Sequence, residues 1–188
     1  MADAVPSPAP VAVRLTRRAH LEMVSLVGRR GAEADLSAKV REIAGLSLPD
    51  GPRRAAAADI TALGVGPRRW LLVREGDDPD FEPHLAVGLQ GLAAVCLQSD
   101  AYAVFRVAGR EARRVLAKGV PIDLHPAAFG PGDAAVTAAA QIGVILWQAD
   151  EEPAYDLAVF RSYAGSFAGW LEASAAEFDP QYETWGPP

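Results

Sequence analysis

The sequence predicts an α+β protein built as two interlocked ferredoxin-like β-α-β-β-α halves. Three observations carry that expectation. Between Leu21 and Gln98, apolar residues repeat alternately with strand and helix periods, in the order β-α-β-β-α-β. From Ala101 nearly the same order begins again, without residue-for-residue repetition. That second half opens with the best-punctuated stretch of the chain, Ser99 to Phe129. There Tyr102, Val104 and Arg106 alternate with Ala103, Phe105 and Val107, so a strand over 101–107 shows one set on each face.

Residues 1–19 read as a flexible arm rich in Pro and Ala, with no core-forming pattern. Leu21 to Val27 is the first strand. Asp35 to Ala44 is a helix with Leu36, Val40, Ile43 and Ala44 as its stripe and Asp35 or Ser37 as N-cap. Pro49-Asp50-Gly51-Pro52 is a turn. Strands over 56–65 and 69–74 are joined by Gly64-Val65-Gly66-Pro67. Phe81, Leu85, Gly88, Leu89 and Leu92 place a helix through about Ala93, and Val95 to Gln98 is a short strand.

In the second half, Ala112, Val115 and Leu116 give a helix over 110–118, with Gly119 as C-cap and Pro121 forbidding resumption. Pro126 suits the start of a helical turn anchored by Phe129. Strands follow near 134–140 and 142–148, where Gly143 permits a turn or a bulge. Tyr155 to Arg161 is the last strand. Ser162 is placed to cap a final helix whose stripe is Phe167, Trp170 and Leu171. The domain therefore spans 20–178. The tail over 179–188 is not helical, and its Tyr182 and Trp185 suggest an arm that docks on a partner, with disorder as the alternative.

A chain of 188 residues that is 50% hydrophobic can bury one or two small cores. A net charge of −6 argues against nucleic acid or an anionic membrane as partner. The arginines come as scattered pairs (17-18, 29-30, 53-54, 68-69 and 113-114), each read as solvated or partner-facing. One cysteine excludes an internal disulfide and fits a reducing compartment; Cys96, in an apolar run, is read as a small buried hydrophobe. No apolar segment approaches the roughly 18 residues of a membrane helix. The start lacks a signal-peptide pattern, so a soluble cytoplasmic protein is expected.

Chemistry is sparse. Gly64-x-Gly66 lacks the third glycine and the helix of a dinucleotide fingerprint, and Trp70 follows in a strand. His20, His84 and His125 have no metal-ligand spacing, and His125 beside Asp123 suits local capping better than general-base work. No Gly-x-Ser-x-Gly elbow exists. Trp70 and Trp147 read as core or sheet-face residues.

Gly109-x-x-Ala112-Arg113-x-x-Leu116-Ala117-Lys118-Gly119 followed by Asp123-Leu124-His125-Pro126-x-x-Phe129 resembles the gamma subunit family of heterotetrameric sarcosine oxidases. Gly66-Pro67-x-x-Trp70-Leu71-Leu72, Gly143-Val144-Ile145-Leu146-Trp147 and Tyr155-Asp156-Leu157-x-Val159-x-Arg161-Ser162-Tyr163 fit the same family in the same order. Ala101-Tyr102 and Val136 depart from its usual Ser/Thr-Arg and Gln, which leaves another N-methylated amino acid open as the amine.

The resemblance implies a fold similar to the folate-binding domain of glycine-cleavage aminomethyltransferases. It also implies a complex that demethylates sarcosine to glycine, with formaldehyde or methylenetetrahydrofolate and hydrogen peroxide as products. In that family the alpha subunit holds NAD and the tetrahydrofolate domain, the beta subunit FAD and the amine site. FMN lies between alpha and beta, delta holds zinc, and gamma holds none of these. By the fold similarity, Asp100 is the residue to inspect as a relict folate contact, with a turn carboxylate as the competing role. A stand-alone folate-binding or one-carbon-transfer protein, and the small subunit of a related N-methyl amino acid dehydrogenase, are the rival functions.

Overall fold

The computed structural model of the chain describes residues 11–150 and 152–185. In chain order the elements are β1 (Arg14–Arg18), β2 (Leu21–Gly28), α1 (Glu33–Ala44), β3 (Arg54–Ala57), β4 (Ile60–Gly66) and β5 (Arg69–Glu75). Then come α2 (Phe81–Gly88), β6 (Ala93–Leu97), β7 (Tyr102–Ala108), α3 (Ala112–Leu116), β8 (Ala134–Ala139) and β9 (Ile142–Asp150). β10 (Ala154–Phe160), α4 (Ala164–Ala175) and β11 (Gln181–Glu183) complete the chain.

Two sheets result, ordered β3-β4-β5-β2-β6 and β11-β1-β7-β10-β9-β8. All pairings are antiparallel except that of β1 with β11. Without the edge strands β3, β8 and β11, the orders become β4-β5-β2-β6 and β9-β10-β7-β1. Each sheet thus begins with a strand, helix and hairpin. The place beside β7 is filled by β1, from the other end of the chain.

The alternation in β7 shows why four layers form. Phe105 and Val107 face outward and pack with Val115, Leu116, Phe167 and Leu171 of α3 and α4. Val104 faces inward, where Ala134, Ile145, Trp147 and Ala158 of one sheet meet Met23, Leu63, Leu71 and Val73 of the other. On the far side, α1 and α2 bring Leu36, Val40 and Leu85 onto Val24, Leu26 and Leu72. The architecture is helix–sheet–sheet–helix, as two amphipathic layers on each side require. No described helix is long and apolar enough to cross a membrane.

Several expectations need correction. Residues 14–18 of the supposed arm form β1, and Leu15 is fully buried. Its other face is polar, with Arg14 and Thr16 on Glu183 and Arg18 at an inter-sheet cavity, so no apolar alternation shows. Residues 1–10 lie outside the described chain. The strand read over 56–65 is a hairpin that turns at Ala58 and Asp59, with Ala58 left-handed at φ 50°. α1 begins at Glu33 behind Ala32 without a side-chain cap. α2 ends at Gly88, short of Leu92. The β8–β9 turn uses Ala140 and Gln141, both at positive φ, and Gly143 sits inside β9. Ser162 lies in a 3-10 turn and caps nothing.

Gly119 is not a left-handed cap; a Cβ there would come within 2.6 Å of the Trp170 ring, so its smallness is a packing requirement of α4. Cys96 is exposed, because β6 is an edge strand. The tail pairs as β11 in parallel with β1.

Gly64 is needed for a different reason. A Cβ on it would stand 1.9 Å from the Gly51 carbonyl oxygen, which is backbone and cannot swing aside. Gly64→Ala is expected to destabilise the chain by about 1–3 kcal/mol. Gly143→Ala, with nothing within 4 Å, should change stability by less than about 0.5 kcal/mol. Urea unfolding of the two variants checks the contrast.

Candidate functional site

The buried charge of Asp156 lies in the space between the sheets. Asp156 sits in β10 at 2% exposure. Its register mate on β7 is Arg106, whose Nε donates to Oδ1 and Nη2 to Oδ2, both at 2.7 Å. Arg18 of β1 donates from Nη1 to Asp156 Oδ2 at 3.1 Å, and its Nη2 bonds Glu75 at the end of β5. The chain Arg106–Asp156–Arg18–Glu75 therefore runs from one sheet to the other. Burial works against the Arg106 charge, yet the Asp156 hydrogen bond and charge outweigh it and raise its pKa. At the rim Arg74 bonds Asp59, which holds that carboxyl below its ordinary value.

These groups border a cavity of about 210 Å³, with Arg54, Thr61 and Trp147 completing its charged and aromatic lining. Its lining holds no histidine, cysteine or serine. Each lining carboxylate is bound by a guanidinium, so none is free to act as a base. Among the described residues, no three His, Cys, Asp or Glu side chains gather as a metal site.

A second cavity, of about 300 Å³, opens beside β1 and the start of β7, lined by Arg17, His20, Met23, Ser99, Tyr102 and Arg161 among others. Ser99 Oγ donates to Glu22 Oε2 and accepts from Met23 N–H, each at 2.9 Å. Asp100 is next in sequence but does not line it. Its side chain is fully exposed, with Oδ1 3.8 Å from Arg161, and its carbonyl accepts from Arg161 Nε at 2.7 Å.

The other singled-out residues are scattered. Asp123 Oδ1 accepts from His125 N–H at 2.8 Å, and His125 Nδ1 accepts from Ala127 N–H, which is the expected local capping. His20 contacts Asp77 at the surface. Trp147 is buried between the sheets, while Trp70 is half-buried and donates to the Pro49 carbonyl. Trp185 turns inward, edge-on to Phe105 at 5.4 Å, with its indole N–H bonded to Glu172. Tyr182 stays 48% exposed.

Sequence reasoning missed Arg18, Arg54, Arg106 and Asp156 as a group. The available signal was a charge at an inward position of a strand, visible in Tyr155-Asp156-Leu157 and in Phe105-Arg106-Val107. The reading of the Arg pairs as solvated is corrected in three of them: Arg18 and Arg54 face the cavity, and Arg113 turns in to the Leu124 carbonyl and the Tyr155 ring.

Comparison with known proteins gives a consistent result. The sarcosine oxidase, gamma subunit family is matched over residues 29–177. Sarcosine oxidase subunit gamma of an Arthrobacter species is 33% identical over 138 residues, covering 71% of this chain and 66% of that one. The subunit from Corynebacterium strain P-1 is 31% identical, covering 75% and 70%. A chain of the heterotetrameric sarcosine oxidase of Corynebacterium U-96, solved in complex with pyrrole 2-carboxylate, superposes with TM-score 0.80 at 29% identity over 89% of this chain and 86% of that one. A glycine cleavage system aminomethyltransferase of Bartonella henselae shares the fold, with TM-score 0.66 at 17% identity over 92% of this chain and 48% of that one.

Removing one partner from a buried ion cluster leaves the others uncompensated. Asp156→Ala is therefore expected to destabilise the chain by about 3–5 kcal/mol. Denaturant unfolding measures this, and Asp156→Asn, which keeps the side-chain volume and one acceptor oxygen for the guanidiniums, should cost less.

Proposed function

The chain belongs to the sarcosine oxidase, gamma subunit family, and on that premise we propose that it is a non-catalytic subunit of a heterotetrameric sarcosine oxidase. Its role is assembly and stability of the complex. The complex demethylates sarcosine to glycine in the cytoplasm, releasing formaldehyde, or methylenetetrahydrofolate when tetrahydrofolate is present, and reducing oxygen to hydrogen peroxide. FAD, FMN, NAD, tetrahydrofolate and zinc belong to the alpha, beta and delta partners. The supporting observation is the 0.80 superposition, over 89% of the chain, on part of an assembly that carries this activity in its name. The polar centre agrees with a supporting role, because its carboxylates are all clamped by arginine. The shared connection order of the two sheets supports reading them as interlocked ferredoxin-like halves. A chain of this kind acts by mass action, since a partner that binds only its folded form stabilises both.

Co-expression of the tagged chain with its larger partners tests the role. A yellow complex that oxidises sarcosine should co-purify, and the chain alone should neither turn over sarcosine nor retain flavin after gel filtration. Turnover by the chain alone overturns the proposal.

The tail contributes in two ways. Tyr182 is exposed and free to meet a partner, whereas Trp185 completes this chain's own core. Tyr182→Ala should leave the unfolding midpoint of the chain within about 2 °C while weakening co-purification. Trp185→Ala should lower the midpoint itself. Thermal scans beside the pull-down separate the two.

A further inference from the structure

Arg54 is the one cation lining the inter-sheet cavity that no described carboxylate holds in an ion pair. Arg18 is shared by Glu75 and Asp156, and Arg106 is bidentate on Asp156. Asp59 is taken by Arg74. The Arg54 side chain donates only from Nη1, to the Pro131 carbonyl at 3.1 Å, and its buried Nε has no acceptor among the described residues. Arg74 is shared by Asp59 and Asp78, and Arg18 and Arg106 take up Asp156 and Glu75, which leaves Arg54 as the lining guanidinium with no ion-pair partner of its own among the described residues. The strain shows on the group itself. Burial pushes the Arg54 guanidinium below its ordinary pKa and the like charge of Arg106 adds to this, while Asp156 and Asp150 offset it only in part.

We propose that the inter-sheet cavity is a binding site for a small carboxylate monoanion, with Arg54 as its principal ligand. A planar guanidinium presents parallel N–H groups that match a carboxylate in two-point contact, and Nε is the donor that such contact needs. One negative charge matches the one guanidinium without an ion-pair partner; a dianion would add charge beside Asp156 and Glu75. The volume of about 210 Å³ suits a molecule of a few heavy atoms. Leu21, Ala56, Val73 and Trp147 give the wall an apolar side for a methyl or methylene group. Glu75 and Asp59, with side chains 58% and 42% exposed, mark the route to solvent.

The test uses the full chain and acetate as probe. Its unfolding midpoint is measured in sodium acetate, sodium chloride and sodium phosphate at equal ionic strength. Acetate should raise the midpoint in a saturable way, with chloride and phosphate giving no specific rise. Arg54→Met should abolish the response. Arg54→Lys, which keeps the charge and loses the fork, should weaken half-saturation about tenfold, or about 1.4 kcal/mol; it keeps the test decisive if Arg54→Met fails to fold. The proposal is overturned by an absent acetate response in the native chain, or by an equal response in both variants. A phosphate response matching that of acetate overturns the carboxylate class.

Discussion

A carboxylate buried in the middle of a β-strand is the constraint around which the two sheets are arranged. Asp156 cannot be left without partners at 2% exposure, because an unpaired buried charge costs several kcal/mol. Its partners come from two distant places in the sequence. Arg106 lies opposite it in register, so a slip of one residue between β7 and β10 would turn Arg106 to the apolar outer face and orphan the acid. Arg18 reaches the same acid only if β1 lies on the far side of β7, where it is found. The N-terminal strand is thus fixed in the second sheet by charge as well as by the burial of Leu15. Through Glu75 the same Arg18 ties that sheet to the other one.

This also explains which parts of the fold were legible in the sequence. The strand over 101–107 and the stripe of Ala112, Val115 and Leu116 were readable because one face of each is purely apolar. β1 was not, since Arg14-Leu15-Thr16-Arg17-Arg18 offers a single apolar residue. Its other face, Arg14, Thr16 and Arg18, is held by carboxylates of other strands, and hydrophobic periodicity is blind to that. The hairpin at Ala58 was hidden for another reason: an alanine at φ 50° carries none of the Gly or Asn that normally announces a turn. Helix boundaries failed at caps, where backbone geometry stands in for the side-chain caps expected at Asp35 and Ser162.

The site was legible in its local contacts more than in its long-range ones. The local role of His125 followed from its neighbour Asp123, a contact two residues long. Asp100 was singled out by family likeness, and its side chain stands in solvent at a turn. Cys96 looked buried because its neighbours are apolar, but an apolar run on an edge strand exposes one of its faces. The tail aromatics looked alike in sequence and divide in space. Parallel pairing with β1 puts Tyr182 outside, and the chain beyond β11 returns Trp185 to Phe105.

The arginine pairs hold the most general lesson. Successive side chains in a strand point to opposite faces, so two adjacent arginines in a strand cannot both be solvated on one side. Arg17-Arg18 lies within β1 and Arg53-Arg54 at the start of β3, and in each pair the second member faces the cavity. Arg53 turns out to Asp133 while Arg54 turns in. A paired cation on a helix is compatible with a solvated surface; the same pair on a half-buried strand commits one charge to the interior, where it must be matched. Arg18 is matched by Asp156 and Glu75. Arg54 is matched by no described carboxylate, and that asymmetry between two otherwise similar pairs is what singles out the cavity as a place for a ligand.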